Sequence, residues 1–208
     1  MRQREAVDME KRHLVGWMIS IVFVLIAGCA TDPAQRQAVL LQAEHKAQYT
    51  KALRSIEGHD GEYPARVLRG MEQLKSMAEQ GYAPAQFKLA YYYYTGPASY
   101  DCLKQDTKEA YYWFGKAAEQ NHREAQYEFA MLFNPKSGLK QYADAEKYVY
   151  WMQKAADAGY AKAQYALGRM NEKGEYVPQD VALAKELFEK AAAQGDGQAQ
   201  RALKRLGK

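Results

Sequence analysis

Residues 163–195 read AQYALGRMNEKGEYVPQDVALAKELFEKAAAQG, two helical patterns joined by a polar segment. After Ala163, the residues Tyr165, Leu167, Gly168 and Met170 fall at the spacing of one apolar helix face. Gly174 interrupts that pattern. Asp180 then stands where its carboxylate can accept the orphan N–H groups of a new helix. The second helix buries Leu187-Phe188 and runs through Ala191-Ala192 to Gly195, where glycine can take the left-handed C-cap conformation. The unit predicted is helix A, loop, helix B.

The unit recurs. Ala78-Glu-Gln-Gly-Tyr-Ala-Pro-Ala-Gln86, Ala118-Glu-Gln-Asn-His-Arg-Glu-Ala-Gln126, Ala156-Asp-Ala-Gly-Tyr-Ala-Lys-Ala-Gln164 and Ala192-Ala-Gln-Gly-Asp-Gly-Gln-Ala-Gln200 align without gaps. Their second alanine falls at 85, 125, 163 and 199, so the period shortens from 40 to 38 to 36 residues. One loop accounts for the drift: Gly96 to Asp106 is 10 residues, Lys136 to Asp144 is 8 and Gly174 to Asp180 is 6. Insertions confined to one connection are what stacked repeats tolerate. Asp106, Asp144 and Asp180 are therefore expected as N-caps, with Glu109 completing a capping-box pair in the first copy. Gly81, Gly159 and Gly195 are expected to end the B helices, with Asn121 standing in for glycine in the second copy. Small pairs at Ala117-Ala118, Ala155-Ala156 and Ala191-Ala192 let helices approach while Trp113-Phe114 and Trp151-Met152 fill the neighbouring gaps.

This pattern resembles the Sel1-like repeat family: an alanine, alternating apolar residues, a glycine eleven later, D-x-x-x-A, a large apolar pair and A-A-x-x-G. That family is related to tetratricopeptide repeats and has roughly 36 residues per unit. The resemblance covers about residues 66–206. The second copy departs most, with Lys136 in place of the loop glycine and Asn134-Pro135 breaking helix A early. The fold class implied is an all-α helical-repeat solenoid of antiparallel helix pairs. Asp32-Pro33 reads as the cap and first residue of a helix to about Glu57, and a second helix is expected over about Pro64 to Gln80, with Leu74 in the aromatic position.

The first thirty residues read as an address. Lys11-Arg12 precede an apolar run from Leu14 to Ala27, 14 residues long and short of the roughly 20 that span a bilayer as a helix. The run closes on Leu25-Ile26-Ala27-Gly28-Cys29, which resembles a bacterial lipobox; that likeness implies diacylglyceryl transfer to the Cys29 thiol, followed by cleavage. The alternative is an ordinary signal peptide or short anchor that contains a cysteine. Met1 and Met9 are both candidate starts. Ala30 after the cysteine resembles outer-membrane sorting in a Gram-negative cell. The expected organisation is a lipoprotein signal peptide over 1–28, a lipid-anchored tether over 29–36, an N-terminal capping helix pair over 37–80, and repeats with a C-terminal capping helix over 81–208.

Composition narrows the function. Hydrophobic residues make up 48% of the chain, enough for a core, and the +4 formal charge is spread rather than clustered, so no nucleic-acid partner is expected. No G-x-S-x-G, S-x-x-K or phosphate-cradling glycine loop occurs. His13, His45, His59 and His122 lie apart without metal-ligand spacing, so no metal, cofactor or catalytic group is expected. Cys102 is left over in the longest loop, as a free thiol or as half of an intermolecular disulfide.

Tyr91-Tyr92-Tyr93-Tyr94 sweep round a helix and cannot share one face; the alignment places Tyr92 and Tyr93 in the core. Tyr91, Met131 and Arg169 share one variable slot, and Lys88, Glu128 and Ala166 another. In the resembled arrays helix A lines the concave surface where ligands dock. The resemblance therefore implies a partner-binding groove carrying Lys88, Tyr91, Glu128, Met131 and Arg169. The bland alternative is a solvated helix face. The function implied is a membrane-anchored scaffold for envelope proteins or peptides; the runner-up is binding of an envelope polysaccharide or peptidoglycan within an export or assembly machine.

Overall fold

The computed structural model describes residues 33–57, 63–96 and 105–207. Cys29, Cys102, His13, His59 and the leader over 1–28 lie outside the described residues. Among the described residues every regular element is an α-helix: α1 (Pro33–Glu57), α2 (Tyr63–Glu79), α3 (Ala83–Thr95), α4 (Thr107–Glu119), α5 (Arg123–Phe133), α6 (Ala145–Asp157), α7 (Ala161–Lys173), α8 (Val181–Ala193) and α9 (Gly197–Leu206). The expected segment over 29–36 ends inside α1. The main helix–helix contacts join consecutive helices, the signature of a solenoid in which each layer rests on its neighbours. The fold is an all-helical repeat solenoid.

Local chemistry sets each boundary. The carboxylate of Asp106 accepts from the backbone N–H groups of Lys108 and Glu109, that of Asp144 from Lys147, and that of Asp180 from Leu183, so each B helix starts where its orphan donors are met. Each of these aspartates also turns its own N–H back to the end of the preceding A helix, on Tyr93, Phe133 or Asn171 at 2.8–2.9 Å. That bond pins the two ends of the loop together, so the chain between them can vary in length without disturbing either helix. Accordingly α4, α6 and α8 are all 13 residues long. Pro135 shortens α5 to 11 residues, because the residue before a proline disfavours helical backbone.

The B helices end in Schellman turns. Asn121 has φ +62°, close to the +79° of Gly159 in the next repeat, and the N–H of His122 or Tyr160 reaches the carbonyl five residues back. Two local expectations were incomplete. Glu109 does not close a capping box; its carboxylate accepts from the Trp113 indole N–H at 3.0 Å. In the second repeat, Gly138 rather than position 136 supplies the left-handed residue of the loop, at φ +82°.

Side chains from both helices of each pair build the core. Ala85, Ala125, Ala163 and Ala199 are fully buried, as are Phe114, Met152 and Phe188. Fully burying such a large side chain contributes about 1.5–3 kcal/mol. Leu74 fills the equivalent place in α2, so the N-terminal pair continues the same core.

Candidate functional site: a basic, tyrosine-walled groove

The A helices of the second and third repeats, with the start of α9, enclose a groove of about 740 Å³. Met131 on α5 and Ala166 and Met170 on α7 line it with apolar surface. Tyr127, Tyr148, Tyr165 and Tyr176 supply aromatic surface. Lys136, Lys162, Arg169, Lys173 and Arg201 also line it, against two carboxylates, Glu175 and Asp196. A shallower hollow of about 410 Å³ continues from Arg169 and Arg201 toward Arg205.

Part of the groove's wall comes from places where the second repeat departs from the pattern. Where the first and third repeats bury Ala110 and Ala184, the second carries Tyr148. Its ring packs edge-on to Tyr176 at 5.6 Å between centroids, and burial pushes its hydroxyl up to about 12. Tyr176 holds φ +65°, a left-handed backbone that disfavours bulky side chains and carries about 1–3 kcal/mol of strain. Lys136 reaches across from the second loop to pair with Glu175, and its ammonium lies 5.8 Å from the Tyr176 ring. This ion pair raises the Lys136 pKa and lowers that of Glu175, the side-chain hydrogen bond being the main cause in each. Two loops thus join into one wall. On the other side, Tyr127 packs edge-on to Tyr160 at 5.3 Å, and burial raises both hydroxyls, Tyr160 to about 12.

The five slots drawn from the sequence fall into two places. Met131 and the exposed Arg169 line the groove together. Glu128, one turn before Met131 on α5, is half-buried; burial raises its pKa, and the Lys162 ammonium opposes the rise. Lys88 and Tyr91 sit apart, where α3 meets α1. There the Lys88 ammonium pairs with Glu57 at 2.7 Å, the Tyr92 hydroxyl donates to the same carboxylate at 3.1 Å, and Lys88 lies 5.9 Å from the Tyr91 ring centroid. Hydrogen bonding from Lys88 lowers the Glu57 pKa. Sequence reasoning missed Tyr148, Tyr176, Lys162, Lys173 and Arg201. The substitution of Tyr148 for the motif alanine was the one signal that pointed to them.

Chemically the groove offers cations, hydroxyl donors and polarisable apolar surface. Among the described residues no three His, Cys, Asp or Glu side chains gather as metal ligands, and no described helix is long and apolar enough to cross a membrane.

The comparisons agree with this architecture. The family model for the Sel1 repeat matches residues 83–122, 123–160 and 161–196, so each matched unit is one A–B helix pair with its turn. A Sel1 repeat protein from Oxalobacter formigenes is similar at 39% identity over 66% of this chain and 98% of its own, with a TM-score of 0.58. A protective antigen present in uropathogenic Escherichia coli strains, displaying an SLR fold, is 29% identical over 85% of this chain, with a TM-score of 0.63; the match spans 37% of that longer protein. No curated relative matches the chain. Three matched units covering more than half the residues, each beginning at an A helix and ending in the turn after a B helix, leave one conclusion: the chain belongs to the Sel1 repeat family, whose members generally mediate protein–protein interaction as non-catalytic scaffolds.

Proposed function

We propose that the chain is a membrane-anchored interaction scaffold of the bacterial cell envelope, holding a protein or peptide in the groove between α5, α7 and α9. The groove itself carries the reading. It combines tyrosines, arginines and methionine, residue types that anchor protein interfaces, on the faces of α5, α7 and α9 that line the hollow. Met131 and Arg169 belong to this surface, with Glu128 one turn away on α5; Lys88 and Tyr91 lie apart from it, where α3 meets α1. In this reading the leader over 1–28 is removed, Cys29 carries the lipid, and Ala30 directs the chain to the outer membrane, facing the periplasm. The Leu25–Cys29 sequence supports that part, since two or more acyl chains anchor stably at about 0.8 kcal/mol per buried methylene.

The test is a photo-crosslinking residue placed in living cells either at Arg169 or at the exposed Tyr112 on α4. The expected result is one or a few discrete protein adducts from position 169 and not from 112. Identical adducts from both positions, or none from 169, would overturn the groove as the docking surface. For the anchor, Cys29→Ser is expected to move the protein from the membrane to the soluble fraction. An unchanged distribution would remove the lipid from the account.

A further inference from the structure

We infer that the groove's occupant is an acidic, amphipathic peptide segment, with its carboxylates on Lys162, Arg169, Lys173 and Arg201 and an apolar side chain against Met131 and Ala166. The inference rests on the scaffold reading of the groove and names the class of its partner.

Charge is the first argument. Some cations elsewhere pair with acids, as Lys88 does with Glu57 and Lys147 with Asp144, and others such as Lys116 and Lys154 stand singly on the surface. At the groove, four unpaired cations line one hollow. At the groove the two lining carboxylates are already engaged. Glu175 holds Lys136, and Asp196 caps α9 by accepting from the N–H groups of Gln198 and Ala199. Lys162, Arg169, Lys173 and Arg201 have no carboxylate within 4 Å among the described residues. Glu128, which feels the Lys162 ammonium, is half-buried and makes no ion pair with it. Four unpaired cations around one hollow repel one another until a ligand brings negative charge.

The donor set is the second argument. Tyr127, Tyr148 and Tyr165 line the groove, their hydroxyls have no acceptor among the described residues, and a phenol hydroxyl donates well to a carboxylate. The apolar surface is the third. Met131 and Ala166, both partly exposed, offer an adaptable surface for an aliphatic or aromatic side chain. A uronic-acid polymer would meet the cations but has no side chain for that surface, so a peptide fits better.

The experiment uses the purified full chain in detergent and a short labelled peptide repeating Glu-Asp-Leu. Binding is expected, weakening several-fold as salt is raised. The Arg169→Gln/Arg201→Gln variant is expected to lose about tenfold or more in affinity, the equivalent of one strong charge-assisted contact. Both side chains are exposed and lack partners, so the variant should unfold at the parent temperature. Lys116→Gln on α4 is expected to change nothing. A Gln-Asn-Leu peptide that binds as tightly, or a double variant that binds as well as the parent, overturns the proposal. So does a uronate oligomer that binds where the acidic peptide does not. Adducts at position 169 in cells that excess acidic peptide fails to compete away would leave the scaffold standing and remove its acidic partner. Peptide binding without any adduct in cells would do the reverse.

Discussion

The Gln120 side chain donates to the side-chain oxygen of Gln86 at 2.7 Å, tying the end of α4 to the start of α3. Gln194 does the same to Gln164 at 2.8 Å, one layer from the C-terminus. Each acceptor glutamine in turn donates to the preceding B helix, Gln86 to the Ala78 carbonyl and Gln164 to that of Ala156. Three consecutive helices are thus linked by two bonds. The middle repeat has half of the device: Gln126 donates to the Ala118 carbonyl at 3.2 Å, but position 158, equivalent to 120 and 194, is alanine. The Gln126 oxygen is buried with no partner.

Ala158→Gln is therefore expected to stabilise the protein by about 1 kcal/mol, since it satisfies a buried acceptor with a geometry the chain already uses twice. Gln120→Ala should destabilise by about 1–2 kcal/mol, because it orphans the Gln86 oxygen. Urea midpoints of the two variants should move in opposite directions. No gain from Ala158→Gln would mean that water already serves Gln126.

Signals that act within a few residues were legible in the sequence. Aspartate at an N-cap and glycine or asparagine at a left-handed turn need no distant partner, so Asp106, Asp144, Asp180 and Asn121 all sit where their spacing put them. The periodic glutamines were visible as a pattern, yet their role depends on a donor some 30 residues away. The groove was half legible. Slot periodicity put Arg169 and Met131 on one face, but it was blind to Glu57, which lies on the divergent α1 and engages Lys88. It was blind also to the loop wall, because Lys136, Glu175 and Tyr176 meet through departures from the repeat and not through its period.

Lys88→Ala should accordingly act at the joint between α1 and α3. The Glu57 carboxylate is half exposed, so the pair is screened and contributes at most about 1 kcal/mol. The expected outcome is faster amide exchange in α1 with unchanged binding of an acidic peptide. A large loss of peptide binding with α1 exchange unaltered would place Lys88 in the binding surface instead.

Gly168 is packed more tightly than its neighbours. A Cβ there would stand 2.7 Å from Cε1 and 2.9 Å from Cδ1 of Phe188. Alanine gains about 1 kcal/mol of helix propensity over glycine, but overpacking costs about 1–3 kcal/mol. Gly168→Ala should therefore lower thermal stability. Adding Phe188→Met, the residue that the second repeat uses opposite Ala130, should recover part of the loss because an unbranched thioether chain can move aside. A stabilised single variant would show that the ring has room to turn.

His122 makes the joint between the first and second repeats sensitive to acid. Its Nδ1 accepts from the Ala125 N–H at 3.3 Å while its ring stacks on Phe87 at 4.8 Å, so the cap requires the unprotonated imidazole. Burial lowers its pKa from the ordinary 6.5; Glu124 opposes the shift and Arg123 adds to it. The unfolded chain then binds the proton first. Stability from this cap is complete above about pH 6.5 and is lost as pH falls through the lower folded value. Urea midpoints should decline across that window, and His122→Asn, which caps without titrating, should flatten the decline. An unchanged slope in the variant would assign the pH dependence to other groups.

Restoring the repeat motif at position 148 should harm the protein. Substitution toward a repeat consensus usually stabilises, and Tyr148→Ala would match Ala110 and Ala184. Here the tyrosine is 6% exposed and supports Tyr176, whose left-handed backbone is tolerated only while neighbours hold it. Removing the ring should leave a cavity that costs about 3 kcal/mol, in the range for aromatic truncations, and should free the 174–179 loop. Calorimetry of Tyr148→Ala, with amide exchange read in that loop, checks both parts. Loss of stability together with faster exchange there, and slow exchange retained in α3 and α4, is the expected pattern. A variant as stable as the parent would mean that the loop wall stands on the Lys136–Glu175 pair alone.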